Sequence, residues 1–480
     1  MGRARKNRTI ELEITGLNHK GNGTGSFYFE GTGEAAAEVP FAIPGDRVRA
    51  CTRRKRSGRY LSFMEELLAP SEFRVAPRCR HFGRCGGCRW QQMDYERQLA
   101  EKEAAVRSAF SPLLSAESRF YPIIPCSKQW HYRNKMEFSF SQDAQGERYL
   151  GLVMDSSKGK VLDLEECHLV SPWFVKALET ARGWWKGAGA AAYNIHRNEG
   201  ALRTLMLREG MSTGDRMVML TVSGNPDYAL NKEQLDAFVS AMREAVSPEK
   251  GLFSIVLRIQ QVAKGMATNF YEMILYGSDH IREELNVQID PEGTFEKLLF
   301  HISPTAFFQP NTAQAERLYS SALQLAGVPE EGVVYDLYCG TGTLGICAAR
   351  KAKEVLGIEI SLESALDARA NAARNGADNV TVLSGAVRHV LGQTEEDSRY
   401  LKPDLLLVDP PRPGLDPEAM RNILELKAPK ILYVSCNPRT QAENIAEMID
   451  SGYEVTAVQP LDQFAHTPHV ENTAILERKR

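Results

Sequence analysis

The 480-residue sequence holds no apolar run approaching the ~18 residues that a membrane span needs. It also lacks a secretory leader, because the basic start at residues 1–8 is followed by Thr-Ile-Glu-Leu-Glu-Ile rather than an apolar stretch. Gly2 is present, but Lys6 breaks the N-myristoylation pattern. These absences predict a cytoplasmic protein that does not touch the membrane. Nine cysteines without an export signal argue against a disulfide framework and leave reduced thiols, metal ligands or catalysts. Internal repeats and low-complexity tracts are missing, and nothing marks an obligate protein partner. Net charge is nearly absent too, at −3.

The charge that is there is unevenly spread. Residues 1–110 hold 20 Lys+Arg against 13 Asp+Glu, so the front carries +7 and the remaining 370 residues carry −10. A basic front on an acidic body suits a protein that grips phosphates with one end, although a solvated basic arm has the same signature. Hydrophobic content of 43% and charged content of 25% are ordinary for a globular chain, and this length predicts two or three domains. From Thr9 to Phe63, short alternating runs broken by Gly and Pro predict a small β-barrel, an architecture common among RNA-gripping modules. Residues 91–110 have helical spacing, and residues 121–300 give mixed α+β signals. In the last third, VVYDLYC, EVLGIEI, NVTVLSG, DLLLVDPP and KILYVSC alternate with helical stretches. That pattern predicts a buried parallel sheet of the doubly wound α/β class, with YEVTAVQPLD and TAILERK as two edge strands. Functional groups in such sheets sit at the carboxyl ends of the strands.

Three motifs fall at those ends. Asp336-Leu-Tyr-Cys-Gly340-Thr-Gly342 joins a strand to a helix, and the next strand ends in Glu359. Glycines let the backbone approach a ligand, and the acid suits a ribose with two free hydroxyls. The spacing is not G-x-G-x-x-G and no phosphate-loop Lys follows, so S-adenosylmethionine fits better than a nucleotide. Asp409-Pro-Pro-Arg412 ends the fourth strand, its prolines stiffening a loop around one carboxylate. Amine-directed methyltransferases have a related loop with an aromatic where Arg412 stands, which counts against that chemistry. Cys436 ends the fifth strand, and the tail segment His466-Thr-Pro-His469-Val-Glu471 is expected at the same rim.

Methylating C5 of uracil needs such groups. The ring carbonyls hold its electrons, so a thiolate must first add to C6 before C5 attacks a sulfonium methyl. A base must then remove the C5 proton. Cys436, Glu471 and Asp409 supply a thiol, a base and a group for the uracil edge.

The chain resembles the RNA 5-methyluridine methyltransferases, and in particular the 23S ribosomal RNA branch with an N-terminal TRAM domain. The resemblance is carried by Tyr132-Arg-Asn-Lys135, Thr305-Ala-Phe-Phe-Gln309-Pro-Asn311, Asp336-Leu-Tyr-Cys-Gly340, Asp409-Pro-Pro-Arg412, Ser435-Cys-Asn-Pro438 and His466-Thr-Pro-His-Val-Glu471. It implies Cys436 as nucleophile, Glu471 as the base for the C5 proton, and Gln309, Tyr338, Glu359 and Asp409 as S-adenosylmethionine contacts. One departure is Ala465, where the family often has proline. The loop Cys79-x5-Cys85-Gly-Gly-Cys88 with distant Cys167 admits zinc, an iron–sulfur cluster or an accidental grouping. Three close thiols plus one distant is commoner for clusters than for zinc, and the resemblance also implies a [4Fe–4S] cluster. The expected organisation is multidomain: residues 5–67 a TRAM-like (OB-like) RNA-binding barrel, 68–300 a central α+β iron–sulfur domain, and 301–480 a Rossmann-like class I methyltransferase. Two rival functions share these features: a transfer-RNA uracil-C5 methyltransferase, and a non-enzymatic iron–sulfur RNA-binding adaptor. Transfer-RNA relatives are expected to lack the TRAM domain and the four cysteines.

Overall fold

The computed structural model describes residues 7–29, 33–262, 267–396 and 400–479; residues 5, 6 and 480, at the ends of the expected first and last domains, lie outside them. In β1 (Thr9–Glu13) every second side chain is buried, as strand alternation requires. With β2 (Gly16–Leu17), β3 (Gly23–Phe29), β4 (Gly33–Val39), β5 (Arg47–Arg56) and β6 (Arg59–Ala69) it forms a six-stranded sheet in the order β1-β5-β6-β4-β3-β2. Ile14, Phe27, Val39 and Val48 lie in its core. Arg53, Arg54, Lys55, Arg56 and Arg59 are exposed around the β5–β6 turn.

Helix α1 (Tyr95–Phe110) is capped by Asp94, whose side chain accepts the Arg97 N–H. Its buried residues Gln98, Leu99, Lys102, Val106 and Phe110 recur mostly at three or four positions and form one stripe. That stripe packs on the C-terminal sheet, where Val106 and Phe110 join the core. Strand β7 (Leu114–Phe120) forms an edge of the same sheet. Residues 95–120 therefore build on the C-terminal layer rather than on the central sheet of the expected 68–300 domain.

The central sheet has seven strands: β8 (Lys135–Gln142), β9 (Arg148–Val153), β10 (Val161–Asp163), β11 (Leu202–Glu209), β12 (Arg216–Ser223), β13 (Phe253–Gln261) and β14 (Asn269–Gly277). Their order is β10-β9-β8-β11-β12-β13-β14, antiparallel except for the β12–β13 pair. Helices α2 (Pro172–Gly187) and α3 (Lys232–Val246) cover one face, burying Phe174, Trp185 and Phe238. The hairpin β15 (Ile281–Val287) and β16 (Glu296–Ile302) then leads through α4 (Thr312–Ala326) into the last sheet.

That sheet contains β17 (Val333–Leu337), β18 (Glu354–Glu359), β19 (Val380–Ser384), β20 (Leu405–Val408), β21 (Lys430–Ser435), β22 (Tyr453–Leu461) and β23 (Glu471–Arg478). Helices α5 (Thr343–Ala348), α6 (Leu362–Arg374), α7 (Val387–Glu396), α8 (Pro417–Leu426) and α9 (Pro438–Asp450) alternate with them. The order is β19-β18-β17-β20-β21-β23-β22-β7, with β17 to β21 parallel. Leu405 and Leu407 enter one core while Leu406 and Val408 enter the other, so both faces are covered. The expected edge strands are not edges: β23 lies between β21 and β22, antiparallel to both, and β7 closes the sheet beyond β22. The segment before β23 is held by a buried ion pair. Lys102 Nζ lies 2.5 Å from Asp462 Oδ1, both side chains are 0% exposed, and the Tyr95 hydroxyl donates to Asp462 Oδ2 at 2.7 Å.

Candidate active site

The crevice opens at the carboxyl ends of β17, β18, β20 and β21. Gly340 and Gly342 have φ of 55° and 81°, the left-handed region that glycine tolerates, and a Cβ on Gly340 would meet nothing within 4 Å. Tyr338 shares that conformation at φ 65°, a strain concentrated in the same turn. Glu359 sits across this turn. One of its carboxylate oxygens accepts the Gly340 N–H at 2.9 Å and the other accepts the Ser361 N–H at 2.7 Å. Asp336 is buried and accepts the Gly345 N–H at 2.8 Å. Burial, with Asp409 and Glu359 nearby, pushes its carboxyl up to about 8. Gln309, in the loop before α4, is buried, and its side-chain oxygen accepts from Gln463 at 3.2 Å.

The register of β23 sets the second half of the site. Ser435 pairs with Asn472 across β21 and β23, so the next residues, Cys436 and Glu471, face each other at the sheet's rim. Asp409 follows β20 beside them. Burial pushes the Cys436 thiol up to about 11, and Glu471 and Asp409 add to the shift, while the Arg412 guanidinium opposes it by charge and hydrogen bonding. Glu471 is buried, and its carboxyl is held well above the usual range by desolvation and by Asp409, against Arg412. Burial alone lifts Asp409 to about 7. Arg412 reaches Cys436 because β20 and β21 are neighbouring parallel strands whose following loops share one rim, an adjacency that the order of strands in the sequence does not by itself reveal.

The loop carrying Glu471 is clamped from α1 and from the cysteine-rich segment. Arg89 and Trp90 donate backbone N–H bonds to the His466 carbonyl at 2.9 and 3.1 Å, and Gln98 accepts the His466 N–H at 2.8 Å. The His466 ring stacks on Trp130 at 3.9 Å, and Trp130 meets His168, beside Cys167, edge-on. His466 takes φ 66°. The Tyr132 hydroxyl donates to the carbonyl of buried Ala465 at 3.1 Å, securing the position where the family often has proline. Burial lowers both His466 and His469 to about 4, so each imidazole is neutral at ordinary pH.

Cys79, Cys85, Cys88 and Cys167 line one cavity of about 450 Å3, whose other side is formed by Arg412 and His469. Gly86 lets the loop lie against β9, since a Cβ there would meet the Val153 carbonyl oxygen at 2.7 Å. Burial pushes the Cys88 and Cys167 thiols up to about 12 and about 11. Among the described residues no three His, Cys, Asp or Glu side chains stand together closely enough to hold a single metal ion.

Residues 242–479 match the tRNA (Uracil-5-)-methyltransferase family. An RNA methyltransferase of Protochlamydia amoebophila is 53% identical over 92% of this chain and 99% of its own length. One from Clostridium tetani is 32% identical over 99% of both chains. The crystal structure of Pyrococcus abyssi tRNA (uracil-54, C5)-methyltransferase in complex with S-adenosyl-L-homocysteine superposes with a TM-score of 0.70 at 25% identity, covering 97% of this chain and 100% of that one.

A thiol pushed up to about 11 gains thiolate tenfold for each pH unit below that value. Alkylation of Cys436 by iodoacetamide in the free protein, followed by peptide mass spectrometry, is therefore expected to accelerate through pH 9.5 without a plateau. Arg412→Gln should slow it at every pH, because the one cation opposing the shift is lost. A plateau below pH 8, or no effect of Arg412→Gln, would contradict this electrostatic account.

Proposed function

Because the chain belongs to the RNA (uracil-5-)-methyltransferase family and is an S-adenosylmethionine-dependent enzyme, we propose that it methylates C5 of a uridine in 23S ribosomal RNA through a covalent Cys436 adduct. The observation that carries this reading is the juxtaposition of Cys436 and Glu471, one residue beyond the Ser435–Asn472 pair of β21 and β23, beside the glycine turn.

The residues of the turn fit S-adenosylmethionine. Glu359 faces a bare glycine backbone, and exposed Ile360 and Phe307 lie close in sequence to Glu359 and Gln309, offering apolar surface for a purine. Glu359 would hold the ribose, and Gln309, Tyr338 and Asp409 would complete the contacts. When bound, S-adenosylmethionine supplies an electrophilic methyl group on a sulfonium. Cys436 Sγ bonds to C6 of the uracil, and the charge gathered on the ring makes C5 the nucleophile for that methyl. Arg412 favours the thiolate needed for the first bond. Glu471 takes the C5 proton, the C6–S bond breaks, and the C5–C6 double bond returns. A carboxyl shielded from water has raised proton affinity, which suits removal of a proton from carbon.

Cys79, Cys85, Cys88 and Cys167 hold a [4Fe–4S] cluster in this reading. Support comes from the one cavity that all four line and from the like-charge repulsion that Cys88 and Cys167 feel from the other thiols. With every iron ligated by protein, its work is structural. The six-stranded sheet serves as a TRAM-like RNA-binding domain, with exposed Arg53, Arg54, Lys55, Arg56 and Arg59 set for phosphates. A transfer-RNA target is the second reading, favoured by the Pyrococcus abyssi enzyme, which matches 97% of this chain. That breadth weakens the expectation that transfer-RNA relatives lack the N-terminal parts.

Incubation with 5-fluorouridine-containing large-subunit ribosomal RNA and S-adenosylmethionine should trap a protein–RNA adduct stable on denaturing gels. Cys436→Ala should give none, and an undiminished adduct would remove the nucleophile assignment. In parallel, tritiated methyl transfer should favour unmodified ribosomal RNA fragments over transfer RNA at matched salt; the reverse order would select the second reading. Anaerobically purified protein should contain roughly four irons per chain, as a single cubane cluster requires. Stoichiometric zinc instead would leave the ligands standing and replace the metal.

A further inference from the structure

The central sheet turns one face to α2 and α3, and on the other Met206, Met219 and Val256 pack against the β15–β16 hairpin. On the second face a polar row crosses the sheet. Register aligns Ser139 with Thr204, Thr204 with Thr221, Thr221 with Arg258, and Arg258 with Glu272. The hydroxyls of Thr204 and Thr221 and Nε of Arg258 are buried without a hydrogen-bond partner, and Thr221 is only 4% exposed. Such groups are costly to leave unpaired.

The same face gathers cations. Lys135 begins β8 with Arg133, Arg208 and Arg258 around it, and burial together with those like charges lowers it to about 8. Among the described residues its ammonium makes no ion pair. Arg258 has a loose one, with Nε 3.5 Å from Glu272, and its guanidinium lies 3.9 Å from the Phe270 ring centroid. Phe270 is 45% exposed on the edge strand β14. The face borders the cysteine-lined cavity, since Arg133, Glu137 and Ser139 line it together with Arg412 and His469 of the catalytic rim.

Crowded cations beside an exposed aromatic are what a single-stranded nucleic acid requires: charge for its phosphates and a ring on which a base can stack. We propose that this face, from Lys135 across Arg258 to Phe270, is the docking track for the single-stranded RNA that flanks the target uridine. Lys135 and Arg258 take phosphates, Phe270 stacks a base, and the threonine row beneath Arg258 becomes available to ribose hydroxyls when the guanidinium moves to a phosphate. The proposal rests on the RNA reading above and adds the path of the strand.

Fluorescence anisotropy of the full-length protein with a labelled single-stranded RNA fragment, across a salt series, tests it. Phe270→Ala should weaken binding about 5- to 150-fold, the range for loss of one stacked base, and Phe270→Trp should restore it. Arg258→Gln should flatten the dependence of log K on log salt by about one phosphate contact. Both should raise KM for RNA more than they lower kcat, with S-adenosylmethionine affinity unchanged. If wild type binds and methylates RNA while both folded variants match it, the track is wrong and the proposed function stands. If wild type neither binds nor methylates RNA, the functional reading and the track both fail. Phe270→Ala converting a sedimenting dimer to a monomer with RNA binding intact would assign the face to a second copy of the chain and overturn the proposal.

Discussion

The antiparallel insertion of β23 between β21 and β22 is the constraint on which the site depends. Reversing direction there brings the start of β23 to the carboxyl end of β21, so Glu471 arrives opposite Cys436 although 34 residues separate them in the chain. A parallel strand in that place would put Glu471 at the far end of the sheet. The return loop must then be fixed, and the buried Lys102–Asp462 pair fixes its first turn. Lys102 Nζ also donates to the Phe464 carbonyl at 3.0 Å, and Phe464 N–H donates back to Asp462 at 3.1 Å. Removing one partner of a buried pair leaves an uncompensated charge, typically about 3–5 kcal/mol of destabilisation. Helix α1 is thereby part of the catalytic unit.

Charge explains the rest of the crevice. Asp336, Glu359, Asp409 and Glu471 all stand at strand ends around one space; Asp336, Asp409 and Glu471 have raised proton affinity because they are desolvated, and Asp409 adds repulsion at Asp336 and Glu471. Arg412 is the cation that acts on Cys436 and Glu471 together. An acidic, water-poor crevice favours a positively charged ligand, and a sulfonium is one. The same acids raise the Cys436 thiol, so the site disfavours a free thiolate until positive charge enters. In the proposed reaction this ties activation of Cys436 to the arrival of the sulfonium by simple electrostatics.

The C-terminal sheet was legible because five continuous apolar runs alternate with amphipathic stretches, and β17 to β21 follow them. The glycine turn, Glu359, Asp409 and Cys436 were legible for the same reason: strand ends can be read off local pattern. Long-range placement could not be. The strand positions of β22 and β23 hinge on a reversal that periodicity does not encode, and β7 joins the sheet from more than 300 residues away. The spacing of residues 91–110 announced a helix but not the surface it covers, nor that Lys102 within it is buried on Asp462. The clamp on His466 from Arg89, Trp90, Gln98 and Trp130 likewise joins segments remote in sequence.

In the proposed reaction the register of β21 and β23 gives Glu471 the C5 proton. That role is tested most directly with Glu471→Gln, RNA carrying tritium at uridine C5, and unlabelled S-adenosylmethionine. The account predicts that this variant forms the Cys436 adduct and retains tritium, accumulating a methylated protein–RNA complex on denaturing gels. Tritium release at the wild-type rate with no accumulated complex would contradict it and pass the role to His466 or His469.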